Sequence, residues 1–228
     1  MSVELRVLTY NVRSLRDDPT AVADVVRSAD PDVVCLQEAP RFWRWRSRIA
    51  ELARRSGLLY VTGGRTTGGV ALLAHLRVDV HETRDGLLSK HARLHQRGVA
   101  AAVVSRSGAR LLVASVHLGL DANERAGHAA EILDLLGRVG APYGVLAGDL
   151  NEPPGSPAWQ AFERGGFRDL HPGSGSTFPA VGPRKRIDPV LASGDVTVSD
   201  YRVLDGTVVE RASDHRPVLA VLRVPVAD

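Results

Sequence analysis

Short apolar runs alternate with amphipathic stretches along the whole chain. The apolar runs have the length of buried strands, which the pattern predicts at residues 5–11, 33–37, 58–62, 70–74, 78–83, 98–105, 110–117, 143–147, 187–192, 196–204 and 218–224. Longer stretches with helical spacing predict helices at residues 19–28, 42–56, 123–139 and 158–164. The first of these helices has Asp18 as a candidate N-cap and Pro19 at its first position.

The order of these elements predicts an α+β fold. Residues 106–109 carry a turn sequence between two strand patterns and indicate a hairpin, whereas other strands are joined through helices. This mixture is typical of two sheets packed face to face with helices outside. Since no linker, repeat or low-complexity block divides the sequence, we expect residues 1–228 to form one domain.

Five segments place an acid, an amide or an imidazole at an end of a predicted strand. They contain Asn11, Glu38, His117, Asp149 with Asn151, and Asp214 with His215. Polar groups at strand ends can form an active-site rim, and hard oxygen ligands with two histidines suit magnesium-assisted attack of water on phosphorus. Taken singly, each segment is more often explained by turn chemistry or helix capping.

Six short motifs occur in a fixed order: Tyr10-Asn11, Leu36-Gln37-Glu38, His117-Leu118, Gly148-Asp149-Leu150-Asn151, Arg186-Ile187-Asp188 and Ser213-Asp214-His215-Arg216-Pro217-Val218. Together they resemble the motifs of the endonuclease/exonuclease/phosphatase family, which includes pancreatic deoxyribonuclease, apurinic endonucleases, neutral sphingomyelinases and inositol-phosphate 5-phosphatases. The resemblance extends from about residue 4 to residue 224. It implies a four-layered α/β sandwich with two mixed or antiparallel sheets, and hydrolysis of phosphoesters with a divalent metal.

The resemblance also implies a set of metal-binding residues. Glu38 is similar to the family's main metal ligand, a carboxylate that holds Mg²⁺, or Mn²⁺, and leaves water on the ion. Asn11 would either orient that carboxylate or reach the metal itself. Asp214 lies next to His215, so its side chain would point elsewhere, towards the metal.

The remaining motif residues resemble the family's catalytic residues. Asp149 would align or deprotonate the attacking water. Asn151, two residues on, would point the same way on an extended segment and donate to a phosphoryl oxygen. His215 matches the histidine at the scissile phosphate, with Asp188 as the carboxylate that stabilises its imidazolium form. His117 replaces the tyrosine of apurinic endonucleases and would bind phosphate or protonate the leaving oxygen.

Two positions depart from the family pattern. Pro189 stands where an aromatic or aliphatic residue usually follows the aspartate, and it predicts a bend or an edge position beside Asp188. His128 lies where relatives often have glutamine, and its place in a predicted helix favours a solvated side chain over a ligand.

Basic residues supply the candidates for contact with a polyanionic substrate. Arg184 and Arg186 lie just before Asp188, and Arg97 ends an expected exposed basic loop. Arginines also alternate with aromatic residues over residues 41–48. That segment could stack bases and neutralise phosphates, or bind an anionic membrane surface. Its helical spacing instead favours an amphipathic helix with tryptophans inward and arginines in water.

Composition adds weaker constraints. Lys and Arg total 29 against 26 Asp and Glu, and the net charge of +3 fits a polyanionic substrate without requiring one. No stretch approaches the ~20 apolar residues of a membrane span, so we expect no stable membrane insertion. The single cysteine, Cys35, excludes an internal disulfide, and the N-terminus lacks a signal-peptide pattern. We therefore expect a cytoplasmic protein, and a monomer.

The leading hypothesis is a metal-dependent phosphodiesterase acting on nucleic acid. Nucleic acid is favoured because the exposed apolar hairpin of lipid-type relatives does not stand out in the sequence. An inositol-phosphate-like phosphomonoesterase and a sphingomyelinase-like phosphodiesterase are alternatives. A non-catalytic phosphate- or nucleic-acid-binding module on the same fold is a further one, against which the retention of Glu38, Asp149, Asn151 and His215 argues.

Overall fold

Twelve strands and five helices make up the protein in the computed structural model, which describes residues 1–226. The strands are β1 (Ser2–Asn11), β2 (Val33–Gln37), β3 (Leu59–Gly63), β4 (Ala71–Ala74), β5 (Asp79–Leu87), β6 (Gly98–Arg106), β7 (Ala109–His117), β8 (Gly144–Asp149), β9 (Arg168–Asp169), β10 (Val190–Ser193), β11 (Thr197–Val203) and β12 (Val218–Pro225). The helices are α1 (Pro19–Ala29), α2 (Trp45–Arg55), α3 (Ala122–Gly137), α4 (Pro157–Arg164) and α5 (Thr207–Ala212).

Each of the two sheets has a parallel strand pair at its centre. The first sheet has the order β11-β12-β1-β2-β4-β3, and the second has the order β5-β6-β7-β8-β10-β9. Strands β1 and β2 run parallel, with Asn11 paired to Gln37 at their carboxyl ends. Strands β7 and β8 also run parallel, with His117 paired to Asp149. Parallel strands end at the same edge, so each sheet presents its polar strand ends together.

Side chains of the strands alternate between an inner and an outer face of each sheet. In β1, Leu5 and Val7 join the core between the two sheets, whereas Leu8 and Tyr10 pack under α1, α2 and α5. The outer face of the second sheet packs against α3 and α4 in the same way. The resulting order of helix, sheet, sheet and helix confirms the predicted four-layered sandwich.

The residue before each of helices α1 and α2 determines where the helix begins. Asp18 caps α1 as predicted, because its carboxylate accepts from the N–H groups of Thr20 and Ala21. Helix α2 begins at Trp45 instead of residue 42, because Arg44 is left-handed, with φ at 54°. Trp45 is buried as predicted, but Trp43 is 83% exposed, so the predicted inward orientation is wrong for that tryptophan.

Proline changes the start of β10. The strand begins at Val190, so Ile187 and Asp188 precede it instead of forming part of it. Pro189 has no N–H to give to the ladder, and its carbonyl accepts from Gly148 N at 3.3 Å. Strand β9 and helix α5 were not predicted, since each is too short for its pattern to be recognised. Within residues 1–226, no helix has the length and apolarity needed to cross a membrane.

Candidate active site

Side chains from both sheets meet at the carboxyl ends of the central strands. Asn11, at the end of β1, donates from Nδ2 to Oδ2 of Asp149, at the end of β8, at 3.0 Å. His215 Nε2 lies 3.7 Å from the same oxygen, and His117 Nε2 lies 3.4 Å from it. Ser213 ties the His215 loop to this point, because its hydroxyl donates to the carbonyl of Asn11 at 2.7 Å. The structure therefore brings four of the predicted residues to one place.

Asn11 connects the two acids of the site. Its Nδ2 also lies 3.4 Å from Oε1 of Glu38, while its Oδ1 accepts from the backbone N–H of Arg13 at 3.1 Å. The amide nitrogen thus faces the carboxylates and the amide oxygen is already engaged. Of the two roles expected for Asn11, this geometry supports orienting the carboxylates. It does not present the oxygen that would bind a metal.

Glu38 offers a carboxylate suited to a hard cation. The buried Gln37 before it bonds to Ser115 across the sheets at 3.2 Å, which fixes the end of β2. Glu38 itself is left-handed, with φ at 49°, and partly exposed. Over residues 1–226, its carboxylate has no ion pair with a basic side chain. Unused oxygen lone pairs beside a second acid fit Mg²⁺ or Mn²⁺.

Asp188 holds the imidazole of His215. Both of its carboxylate oxygens lie 3.1 Å from Nδ1, and Thr177 donates its hydroxyl to one of them. Pro189 therefore leaves Asp188 in contact with His215. Thr177 was not predicted, because none of the six motifs contains it. The ring of Phe178 packs on His215 with centroids 4.7 Å apart.

Charge within the cluster favours a protonated His215. Burial alone would lower its pKa, but the charge and hydrogen bond of Asp188, with the charge of Asp149, outweigh burial and raise the pKa to about 9. Burial and the nearby Asp188 raise the pKa of Asp149 to about 7. Ligand atoms of Asp149, Asp188 and His215 lie within 4.8 Å of one another. A protonated imidazole is a poor metal ligand, so this trio is better explained as an ion-pair network.

Replacing Asp188 with asparagine is expected to lower the pKa of His215. Removing the carboxylate leaves burial as the main influence, so the imidazole should lose its proton well below pH 9. NMR titration of the histidine ring protons in metal-free protein measures this change, with His215→Gln identifying the resonance. The same titration midpoint in wild-type protein and Asp188→Asn would contradict the assigned ion pair.

His117 is held in one tautomer by Arg97. A guanidinium only donates hydrogen bonds, and Arg97 Nη1 lies 3.1 Å from His117 Nδ1, so that nitrogen accepts and the proton sits on Nε2. Burial lowers the pKa of His117 well below its ordinary value, and the nearby charges of Arg97 and His215 lower it further. His117 is therefore a neutral donor. Arg97 was expected on an exposed loop, but it is buried under His117.

Asn151 reaches the cluster by a turn. Its φ is 53°, and its backbone N–H donates to Asp149 Oδ1 at 2.9 Å. The expected extended segment is therefore wrong, because Asp149 closes a turn onto its own chain. The side-chain amide donates to the carbonyl of Leu118 at 2.9 Å and lies 3.2 Å from His117 Nε2. Asn151 remains beside Asp149 and His117 despite the different backbone path.

Asp214 and Arg186 are both engaged in ion pairs. Asp214 pairs with Arg13, with Oδ2 and Nε 3.4 Å apart, and its role as a metal ligand stays a prediction. Arg186 makes two hydrogen bonds of 2.8 Å to Asp169 and lies over the ring of Trp159. This guanidinium is engaged in the interior and is not a substrate-rim group. Both partners are distant in sequence, so no local pattern indicated them.

Arg184 is exposed as a substrate-contact residue must be, whereas His128 is not solvated as predicted. Arg184 is exposed and its backbone N–H donates to the carbonyl of Phe178 at 2.8 Å, in the same loop as Thr177. This placement leaves its side chain available at the surface. His128 is fully buried, and its Nε2 lies 2.8 Å from the carbonyl of Ser89. The expectation of a solvated His128 is therefore wrong, because a neighbouring loop covers that face of α3.

Comparison with known proteins identifies similar sequences and folds. The family model for the endonuclease/exonuclease/phosphatase family matches residues 8–215. No curated protein matches the sequence significantly. A family protein from Bacteroides thetaiotaomicron superposes with a TM-score of 0.84 at 20% identity, covering 99% of this chain and 97% of that one.

Two other similar structures have more specific names. A mannosyl-6-phosphatase from Bacteroides thetaiotaomicron has a TM-score of 0.80 at 22% identity, with coverage of 96% of this chain and 99% of the other. TDP2 from D. rerio, in complex with a single strand DNA product, has a TM-score of 0.76 at 17% identity, with coverage of 96% and 98%. At these identities the likeness shows a shared fold.

Proposed function

Because the chain belongs to the endonuclease/exonuclease/phosphatase family, we propose that it is a divalent-metal-dependent phosphoester hydrolase acting on phosphodiesters of nucleic acid. One observation carries the proposal. Asn11 contacts both Glu38 and Asp149, so a carboxylate that has no basic partner within residues 1–226 and a buried acid from the other sheet meet beside the imidazole of His215. That combination suits in-line attack of water on phosphorus.

Glu38 would hold the metal ion, with Asn11 fixing the direction of its carboxylate. A bound divalent cation supplies polarisation of a phosphoryl oxygen and a lower pKa for water. Asp149 accepts a proton from the attacking water, for which a pKa near neutrality is favourable. Its two oxygens are oriented by Asn11 Nδ2 and by the backbone N–H of Asn151, which keeps the acid in one position.

Three hydrogen-bond donors would contact the phosphoryl group. His215 donates from Nε2 as an imidazolium, since Asp188 occupies Nδ1. His117 donates from Nε2 as a neutral imidazole, since Arg97 occupies its Nδ1. The amide nitrogen of Asn151, which lies 3.2 Å from His117 Nε2 and donates to the carbonyl of Leu118, is the third donor. Fixed donors aimed at developing negative charge stabilise a transition state more than a ground state.

Phosphodiester hydrolysis is supported by the TDP2 structure, whose complex contains a single strand DNA product. A second candidate is hydrolysis of a sugar phosphomonoester, which the similarity to a mannosyl-6-phosphatase over nearly the whole chain favours. We further infer that residues 1–228 act as one catalytic domain and as a monomer. The single buried Cys35, which has no disulfide partner, supports action in the cytoplasm.

A substrate panel tests the proposed function. With Mg²⁺ or Mn²⁺, the protein is expected to hydrolyse bis-p-nitrophenyl phosphate and a single-stranded oligonucleotide, and EDTA should stop both reactions. Faster turnover of mannose 6-phosphate or an inositol phosphate than of every diester would instead establish a phosphomonoesterase. A folded protein that binds the oligonucleotide but turns over no substrate would be a binding module.

A further inference from the structure

We propose that a basic, aromatic groove beside the catalytic cluster binds single-stranded nucleic acid next to the bond that is cleaved. The inference rests on the proposed phosphodiesterase function and names its substrate class. The groove is a cavity of about 560 Å³ between the segment before α2 and the loop after β5. Its main side chains are Arg41, Phe42, Trp43, Arg44, Arg65 and Lys90.

The charge of the groove is positive and uncompensated. Among the residues that the structure describes, its lining contains Arg41, Arg44, Arg65 and Lys90, and no acidic residue. Within residues 1–226, none of these four cations forms an ion pair. Many arginines elsewhere do, as Arg77 does with Asp30 and Asp32. Clustered cations that lack acidic partners attract a polyanion such as a phosphodiester chain.

Two aromatic rings at the groove are exposed to solvent, each with an arginine guanidinium near it. Phe42 is 73% exposed and Trp43 is 83% exposed, whereas Trp45, the first residue of α2, is buried. The left-handed Arg44 separates Trp43 from the buried face of the helix. The guanidinium of Arg44 lies 5.3 Å from the Trp43 ring, and that of Arg41 lies 5.6 Å from the Phe42 ring. Alternating rings and cations suit unpaired bases that stack while their phosphates are neutralised.

The groove adjoins the catalytic cluster on two sides. On one side, a Cβ at Gly69 would lie 3.6 Å from Arg41 Cδ and 4.0 Å from Glu38 Cα, so the Arg41 stem lies beside the backbone of Glu38. On the other side, Gln96 lines the groove, and the next residue is Arg97, which bonds to His117. A single-stranded nucleic acid bound in the groove would therefore extend into the catalytic cluster, where the scissile phosphate would lie.

The Trp43→Ala/Arg44→Ala double variant tests the groove. Stacking and charge are both lost, so kcat/KM for a single-stranded oligonucleotide should fall about tenfold or more beyond any fall for bis-p-nitrophenyl phosphate. Trp43→Phe keeps an aromatic ring that can stack on a base. It should therefore restore most of the kcat/KM that is lost for the oligonucleotide but not for bis-p-nitrophenyl phosphate. Arg110→Ala is the matched control, because it removes an exposed arginine at the end of β7 opposite His117. Circular dichroism confirms that each variant is folded.

Binding measurements separate this inference from the proposed function. Fluorescence anisotropy with a labelled oligonucleotide in EDTA should show at least tenfold weaker binding by the double variant, whether or not the wild-type protein cleaves it. Absence of turnover on every diester would overturn the proposed function alone. Equal oligonucleotide binding by wild-type protein and double variant would overturn the groove. If the double variant lost binding to phosphatidylserine vesicles but kept the oligonucleotide affinity of the wild-type protein, the nucleic-acid groove would also be overturned. That result would indicate a membrane-binding surface.

Discussion

Replacing Glu38 with glutamine is expected to lower metal-dependent phosphodiester turnover by about 10³-fold, because a Lewis acid contributes several kcal/mol to such reactions. Glutamine keeps the size of the side chain and an oxygen for the contact with Asn11 Nδ2, so the fold should be retained. Only the negative charge that would hold the ion is removed. The measurement is kcat/KM for bis-p-nitrophenyl phosphate over a range of Mn²⁺ concentrations, with the thermal unfolding midpoint measured in parallel.

Glu163→Gln is the matched control for Glu38→Gln. Glu163 is an exposed carboxylate in α4, on the outer face of the second sheet. Its neutralisation should leave kcat/KM within about twofold of wild type, as is usual for surface changes away from a site. Wild-type turnover in a folded Glu38→Gln protein would show that Glu38 does not hold the metal.

Replacing His215 with alanine is expected to lower turnover by roughly 10²–10⁴-fold, the range for a proton-transfer or charge-stabilising group. The variant removes the imidazolium beside Asp149 and leaves the Asp188 carboxylate without its charged partner, with the hydrogen bond from Thr177 remaining. His81→Ala is the control, because His81 is exposed on β5, where its Nε2 lies 2.6 Å from the hydroxyl of Ser105. Activity of His215→Ala equal to that of the control would remove His215 from the site.

The pH dependence distinguishes catalysis from a structural role. A donor must be protonated to act, and the pKa of His215 is raised to about 9, so its contribution is present below that pH and is lost as pH rises through it. The wild-type rate should therefore fall above about pH 9. Asp188→Asn lowers the pKa of His215, so the fall should move to lower pH. An alkaline limb that does not move in Asp188→Asn would contradict this role.

The sequence was informative for polar residues whose position in the fold follows from a predicted strand and the motif at its end. The apolar runs within residues 33–37 and 143–147 predicted buried strands, and the motifs at their ends placed polar groups there. Parallel pairing of β1 with β2 and of β7 with β8 brings those ends to the site. The resemblance to the family identified Glu38, Asp149 and His215 as candidate site residues.

Contacts between distant segments could not be predicted in this way. Arg97 lies in the expected loop, directly before β6, but it is buried against His117 instead of being exposed. Arg186 pairs with Asp169, and Asp214 pairs with Arg13, and in each case the partner lies in another segment of the chain. The backbone matters too: the left-handed Arg44 turns Trp43 outward, although the helical spacing favoured burial. Periodicity describes one element at a time and contains no information on such pairs.

The most direct measurement of the central claim is the hydrolysis of bis-p-nitrophenyl phosphate by chelated protein to which Mn²⁺ is added back. For the wild-type protein, we expect no turnover in chelator and saturable recovery with the metal. For Glu38→Gln, we expect at most about a thousandth of that recovery at the same metal concentrations. Turnover that survives chelation in the wild-type protein, or the same recovery curve in both proteins, would contradict a metal-dependent site built on Glu38.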